Sequence, residues 1–388
     1  MSALVLWVAI GILAWVYLGY PFLAFVIGSV SPWRWDSAGP VPTLTVAIAV
    51  HDEMAEIAQR VADAFAQSGA DLNLVEVLVG SDGSTDRTNE IVAALAEGEP
   101  RLRLVAMPRS GQTLTQDALF RGAIGDVVVL TDAETRFEPG CLAALVDAFR
   151  DPRVGAATGR LEWRDSDATA TAANEGLYWR YERAVRALES RAGLLTAVTG
   201  ALLAVRRSSY RPVPPSASMD HLLPLYVRES GGAVVYVPNA IASDRPISGL
   251  REQFRNRTRT ATRGIRANLS MVVRLGPIRH PGAALAIWSH KILRWATPLL
   301  GAAAFGAGLV EATQGSPAGW SVAIVILCGA GGAVVGQLIA STGRRPPRPL
   351  AFARSFAIVN LAFLRAWVDV LRGRRIEAWH RVEWDRPG

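Results

Sequence analysis

Only two cysteines, Cys141 and Cys328, occur in the 388 residues, and they stand 187 positions apart. That excludes a disulfide framework and a cysteine-based zinc site. Lysine is nearly missing: Lys291 is the one lysine among 41 basic residues. Charge as a whole is scarce, at 19% of residues against roughly 25% in an ordinary soluble chain. Half of the residues are apolar, which excludes a disordered or collagen-like chain and argues against a wholly soluble one. A Walker A phosphate loop is absent, as are a dinucleotide-binding glycine fingerprint after the first strand and a nucleophilic serine or cysteine elbow.

The charge that is present is unevenly placed. Residues 36–250 hold 20 basic and 28 acidic groups, a net of −8, although the whole chain is formally +7. The surplus lies in two blocks. Arg251 to Arg294 has ten basic residues against one acid, Glu252, and the stretch from Arg344 onward has ten against four. A nucleic-acid binder carries its basic residues on the folded domain, so nucleic acid is excluded as a partner. Basic blocks beside apolar runs instead fit anchoring at a cytoplasmic membrane face.

Residues 3–30 carry no charge, and the first charged residue is Arg34. Such a run is long enough to cross a hydrocarbon core of ~30 Å. It lacks the basic start and short apolar core of a cleavable signal, so residues 1–32 are expected to form an uncleaved transmembrane anchor. Further spans are expected at 292–310 and 319–341. Residues 350–371 are apolar but carry Arg354, Asn360, Arg365 and Asp369. Burying those charges is costly, so an interfacial helix is expected there, followed by a cytoplasmic tail. The sum is a three-span membrane protein, with four spans as the alternative.

Between residues 42 and 245, short β-branched runs alternate with helical patterns. Strands are expected at Thr43–Val50, Val75–Ser81, Leu102–Met107 and Val127–Thr131. Helices are expected at Glu53–Ser68, Thr85–Ala96, 113–123 and 139–149. This beat predicts an α/β fold, a mostly parallel sheet with helices on both faces. Ligands then sit beyond the carboxyl ends of the strands. Acids cluster at those ends: His51-Asp52-Glu53, the turn Ser81 to Asp86, and Asp132-Ala133-Glu134. Acids one residue apart can face one ligand, and hard cations such as Mg²⁺ or Mn²⁺ take such oxygens together with substrate phosphates. Each piece alone is equally an ordinary turn or helix start.

In order, AVHDE (49–53), GSDGSTD (80–86), VVVLTDAETRF (127–137), YWRYERAVRALES (178–190), TGALLAVRR (199–207), MDHLLPL (219–225) and VVYVPNAIA (234–242) resemble the membrane-bound family 2 glycosyltransferases, relatives of the cellulose, chitin and hyaluronan synthases. The resemblance implies a GT-A fold over residues 40–275, with 276–388 as a C-terminal membrane region. It implies inverting, metal-dependent transfer from a nucleotide sugar, a UDP-sugar by family habit. The acceptor would be a lipid-linked glycan or growing polysaccharide, with membrane lipids and other subunits of a glycan assembly or export system as partners.

Carried over by position, Glu53 and Asp82 would line the uridine pocket, with Asp82 accepting from the base. Asp132 and Glu134 would hold Mg²⁺ or Mn²⁺ on the diphosphate, and Asp220 would be the catalytic base. Trp179, Gly200 and His221 are candidates for sugar or acceptor contacts. The match departs from the pattern at His51-Asp52, at Gln112 where a lysine is common, and at Glu134 in place of aspartate. In QFRNRTRTATRG (253–264) the tryptophan of the processive QxxRW motif is missing. Arg255, Arg257 and Arg259 are candidate diphosphate contacts without a choice among them. A catalytically silent nucleotide-sugar-binding subunit is the alternative that these departures leave open.

Overall fold

The computed structural model describes residues 1–67, 72–163, 170–245 and 250–374, and the side chains of helix Ala170–Arg191 from Arg180 onward. Eight strands form one sheet: β1 Thr43–Val50, β2 Asn73–Asp82, β3 Leu102–Met107, β4 Val127–Thr131, β5 Arg136–Phe137, β6 Val154–Trp163, β7 Leu203–Arg206 and β8 Ala233–Asp244. Their order is β3-β2-β1-β4-β7-β6-β8-β5. The first four run parallel. Beyond β4 the direction breaks: β7 is antiparallel to both β4 and β6, while β6 and β8 run parallel. The sheet is therefore mixed, and its parallel half is the half legible from the β/α alternation.

Strands buried on both faces read as unbroken apolar runs. In β1 the residues Leu44, Val46, Ile48 and Val50 pack into one core and Ala47 and Ala49 into the other. Helices Ile57–Ala66 and Cys141–Asp147 cover the first face. Gln112–Gly122 and Met219–Glu229 cover the second. The first helix starts four residues later than its pattern suggests. Asp52 takes a left-handed backbone (φ 55°), the one non-glycine residue to do so among those described, and residues 53–56 then form a turn.

The helical region is joined to this sheet, not hung from it. The chain is helical from Ser2 to Val30, with a wider turn over Trp15–Gly19. Tyr20 is fully buried and its hydroxyl donates to Glu189 Oε1 at 2.5 Å on helix Ala170–Arg191. Arg191 Nε donates to the carbonyl of Gly28 at 2.7 Å. The long helix Leu250–Met271 leaves the sheet and packs on Arg348–Leu371 through Ala261, Ile265, Val359, Phe363 and Ala366.

Among the described residues, three helices are long and apolar enough to cross a membrane: Ser2–Val30, Pro317–Ser341 and Arg348–Leu371. The stretch expected to span at 292–310 falls across a bent pair, Pro281–Trp295 and Thr297–Thr313, with 62° between the arms. The helix expected to lie in the interface is the longer and more continuous of the two. Its charges have local partners: Arg354 Nε donates to Gln337 Oε1 at 2.8 Å, and Asp369 pairs with Arg365 at 3.3 Å and Arg374 at 3.7 Å. Partnered charges cost less to bury than the sequence alone suggested. The expected tail beyond residue 374 lies outside the described residues.

Candidate active site

The cleft is built at the carboxyl ends of β1, β2 and β4. Register brings these ends level: Val50 faces Ser81, and Ile48 faces Thr131. At the end of β1, Asp52 Oδ1 accepts the backbone N–H of Thr85 at 2.6 Å, fixing the turn after β2. Its positive φ is a conformation that Asp tolerates better than most residues, and it places the carboxylate over that turn. Asp86 closes the same turn, accepting from Met54 N at 3.1 Å and Thr88 N at 2.9 Å. Glu53 is buried beside them, and its N–H donates to Thr88 Oγ1 at 2.9 Å.

Asp82 is fully buried. Its carboxylate accepts from Ser110 N at 2.6 Å and Gly111 N at 2.9 and 3.1 Å, with Arg109 at 3.4 Å. These bonds hold the loop that leads into helix Gln112–Gly122. Gly111 (φ 96°) makes the bend that brings its N–H to the carboxylate.

β4 delivers Asp132 and Glu134, both half-buried. Gln112 Nε2 lies 3.4 Å from Asp132 Oδ1. Arg60 supports this strand end from below. It is completely buried, donates to Thr131 Oγ1 at 2.9 Å and Asp63 Oδ2 at 2.5 Å, and stacks 3.9 Å over Phe137. Burial lowers the Arg60 guanidinium to about 10, which leaves it charged. This residue was missed from sequence. The available signal was an arginine on the buried stripe Ile57, Arg60, Val61, Ala64.

Asp220 stands in the first turn of helix Met219–Glu229. His221 Nδ1 lies 3.1 Å from its Oδ1 and 2.8 Å from Ser218 Oγ. Burial works to raise the Asp220 carboxyl, but His221, Ser218 and the Arg263 guanidinium outweigh it and hold it well below the usual range. Gly200 is where the backbone passes close: a side-chain carbon there would sit 3.3 Å from Asp220 Oδ2. His221 is in turn packed at Gly264, where an added carbon would meet its Nε2 at 2.6 Å.

Asp132 and Asp220 feel each other. Burial first, and then the Asp220 charge, raise the Asp132 carboxyl, while Arg259 and Arg60 oppose the rise. Burial lowers the Arg259 guanidinium, and Asp132 and then Asp220 oppose this only in part. Of the three candidate arginines, Arg259 is therefore the one whose charge is coupled to both acids. Arg255 is exposed one helical turn farther out. Arg257 lines the cavity beside Asp220 and the larger one next to it. Arg263, which sequence reasoning missed, is one turn inward of Arg259 and donates to Thr113 Oγ1 at 2.5 Å and to the Ala217 carbonyl. The i, i+4 spacing of 259 and 263 was the available signal.

A cavity of about 200 Å³ opens beside Asp220, lined also by Gly200, His221, Arg257, Lys291 and Trp295. Its wall is braced by a buried ion cluster in which Glu182 meets Arg294 at 2.5 Å, His290 at 3.3 Å and Lys291 at 3.3 Å. The candidate Trp179 precedes the part of its helix whose side chains are described.

Among the described residues, no group of three or more His, Cys, Asp or Glu could hold a metal ion by itself. The candidate pair Asp132 and Glu134 offers two carboxylates, the number that Mg²⁺ commonly takes from protein beside substrate phosphates. The Asp132 carboxyl, raised by burial and by a second acid, is the kind of group that a divalent cation relieves.

Residues 45–213 match the family model "Glycosyl transferase family 2", so this part of the chain is a family 2 glycosyltransferase domain. Curated relatives named N-acetylglucosaminyltransferase include one from Rhizobium sp. (strain N33), 30% identical over 47% of this chain and 44% of its own length. Another, from Sinorhizobium fredii (strain NBRC 101917 / NGR234), is 27% identical over 65% and 63%. The chain thus spans less than two thirds of the curated relatives it matches. Among solved structures, a mannosyltransferase from Pyrobaculum calidifontis, in complex with GDP-Man and Mn²⁺, superposes with a TM-score of 0.70 at 22% identity. The match covers 96% of this chain and all of that one. The GT-A fold expected from the sequence is therefore present, and the shared fold includes the helical region.

Proposed function

We propose that the protein transfers a sugar from a nucleotide sugar to an acceptor hydroxyl at a membrane face, by single displacement with inversion. What supports this is the electrostatic coupling of Asp132, at the end of β4, with Asp220, in the first turn of helix Met219–Glu229, and of Arg259 with both. Two acids with different environments suit two tasks.

Asp220 is the catalytic base. Its carboxylate is ionised across the neutral range, and Ser218 and His221 orient it. The acceptor oxygen attacks the anomeric carbon and gives its proton to Asp220. The bond from that carbon to the diphosphate oxygen breaks, and the nucleoside diphosphate leaves. A positioned base contributes roughly 10²–10⁴-fold. Asp132 and Glu134 would hold the divalent cation, which supplies charge neutralisation for the leaving diphosphate when bound. Arg259 adds a fixed positive charge at the same place. Glu53 lines the nucleotide pocket. Asp82 acts there as a positioning residue, since its oxygens are engaged by Ser110 and Gly111.

Ser2–Val30, the bent pair ending in Thr297–Thr313, and Pro317–Ser341 are taken as the membrane spans of a bacterial inner-membrane protein, with Arg348–Leu371 in the interface, so that the α/β domain and the basic block from Arg344 share the cytoplasmic side. Residues 40–275 are the catalytic domain in this scheme. The relatives' name supports N-acetylglucosamine as the first sugar to test, with the UDP form the first donor. The test is nucleotide release by the full-length protein in lipid, over a panel of UDP-, GDP- and dTDP-sugars with Mg²⁺ or Mn²⁺. Metal-dependent release from one donor supports the scheme. Retention of donor with no release, even with membrane lipid extract added, would favour the silent binding subunit.

A further inference from the structure

Three segments of the chain are tied together at one buried point. Thr113, in the first turn of helix Gln112–Gly122, is buried, and its Oγ1 donates to the carbonyl of Ala217 at 2.8 Å. Arg263, from helix Leu250–Met271, is buried as well. One terminal nitrogen of its guanidinium donates to Thr113 Oγ1 at 2.5 Å and to the same Ala217 carbonyl. A hydroxyl can accept one bond while donating another, and a carbonyl oxygen can accept two, so the three groups close on one another.

Each tie leads to a group of the cleft. On one side, the residues just before Thr113 serve the donor end. Ser110 and Gly111 donate their N–H groups to Asp82, and Gln112 Nε2 lies 3.4 Å from Asp132 Oδ1. On the other side, Ala217 leads into helix Met219–Glu229. Ser218 is its N-cap, and the Ser218 carbonyl accepts from Leu222 N at 3.1 Å. Ser218 Oγ lies 2.8 Å from His221 Nδ1, which is 3.1 Å from Asp220 Oδ1. A shift of Ala217 therefore carries Ser218 with it, and so moves the partners that aim Asp220.

The charge of Arg263 is informative too. Burying a guanidinium among neutral acceptors carries a desolvation cost that a neutral side chain would avoid. Its Nε is buried without a hydrogen-bond partner among the described residues. Burial lowers the guanidinium, Asp220 opposes this, and Arg259 adds to the lowering. The charge thus answers Asp220, while the hydrogen bonds answer Thr113 and Ala217.

We propose that Arg263 and Thr113 form a latch between the donor loop and the helix that bears the base, with Arg263 a positioning residue that sets Asp220 against the bound donor. Neither residue lines the cavity beside Asp220, so the latch acts through Ala217 and Ser218. The inference rests on the transferase scheme above, in which Asp220 takes the proton of the acceptor hydroxyl.

The experiment is single-turnover transfer by the full-length protein in lipid, with membrane lipid extract and the donor of the panel above that the wild type uses. Donor affinity and Tm are read on the same preparations. Thr113→Val removes the hydroxyl and keeps the shape of the side chain. It is expected to slow transfer by roughly 10- to 100-fold, the scale of a displacement of up to ~1 Å at the reacting groups. Donor affinity should stay within a few-fold of wild type, because Asp82 still holds Ser110 and Gly111. Thr113→Ser keeps the hydroxyl and is expected to recover most of the rate. Arg263→Gln is expected to slow transfer by a similar factor and to add little to Thr113→Val, since residues that act as one unit are not additive. If Arg263→Gln shows no unfolding transition, the two threonine variants carry the test. Transfer by Thr113→Val at the wild-type rate would overturn the latch alone. So would equal losses in Thr113→Val and Thr113→Ser, a loss confined to donor affinity, or a double variant whose loss is the product of the single ones. No transfer by the wild type from any donor would overturn the transferase scheme, and the latch with it.

Discussion

Replacing Arg259 by glutamine removes a positive charge coupled to Asp132 and Asp220 while keeping a shorter polar side chain. Two consequences follow from the geometry. The donor diphosphate loses one charge-assisted partner, and the two acids lose the cation that tempers their repulsion. A hydrogen bond to a charged group is worth about 1.5–3 kcal/mol. At about 1.36 kcal/mol per decade, that corresponds to a loss of roughly 10- to 150-fold in kcat/KM for the donor. Arg255→Gln is the control, because Arg255 is exposed one turn farther out on the same helix. It should change kcat/KM by no more than about twofold, as surface substitutions do. The assay is initial-rate nucleotide release at varied donor and fixed saturating metal. An equal effect of the two changes, or a larger effect at Arg255, would refute the assignment of Arg259 to the diphosphate.

Other outcomes follow from single contacts. Gly264→Ala puts a carbon 2.6 Å from His221 Nε2 and 2.8 Å from Trp295, so His221 must shift. Transfer should fall while donor affinity stays, and a fall in donor affinity alone would contradict this. Asp82→Ala leaves the Ser110 and Gly111 N–H groups unpaired, costing about 2–3 kcal/mol. A Tm lowered by about 5 °C or more is expected, with a raised donor KM, and an unchanged Tm would show that the loop is held by other means. Asp151 is lowered to about 2 by its bond to Arg153, against opposing burial, with help from the N–H of Arg153 and of Asp36. A depressed carboxylate stabilises the fold above its unfolded value near 4 and loses that contribution as pH falls through about 2. Because Arg153 is 61% exposed, screening cuts the effect to about 1 kcal/mol. Asp151→Asn should therefore destabilise at pH 7 and make little difference near pH 2, and a pH-independent difference in unfolding would contradict this.

Much of the parallel half of the sheet was legible. Thr43–Val50, Leu102–Met107 and Val127–Thr131 have the bounds expected from the sequence; the first and last are buried along nearly their whole length and read as unbroken apolar runs, whereas Leu102–Met107 is a partly exposed edge strand. Strand direction is not written that way, so the antiparallel β7 was not anticipated. Asp132, Asp220 and Gly200 were named by motif order, and the fold places Gly200 against Asp220. What sequence could not supply was depth along helix Leu250–Met271. Arg255, Arg259 and Arg263 fall on one stripe at intervals of one turn, and only packing shows which rungs reach the acids. The last helix was read as interfacial from its charges. Their partners, Gln337, Arg365 and Arg374, come from another helix or another turn and become visible only in three dimensions.

The central claim is that Asp220 is the base of a sugar transfer whose donor is held elsewhere. The most direct measurement is single-turnover transfer by full-length Asp220→Asn protein in lipid, with UDP-N-acetylglucosamine, Mn²⁺ and membrane lipid extract, beside donor affinity on the same preparation. Transfer is expected to slow by roughly 10²–10⁴-fold with donor affinity within a few-fold of wild type. Transfer at the wild-type rate with the donor bound would contradict it.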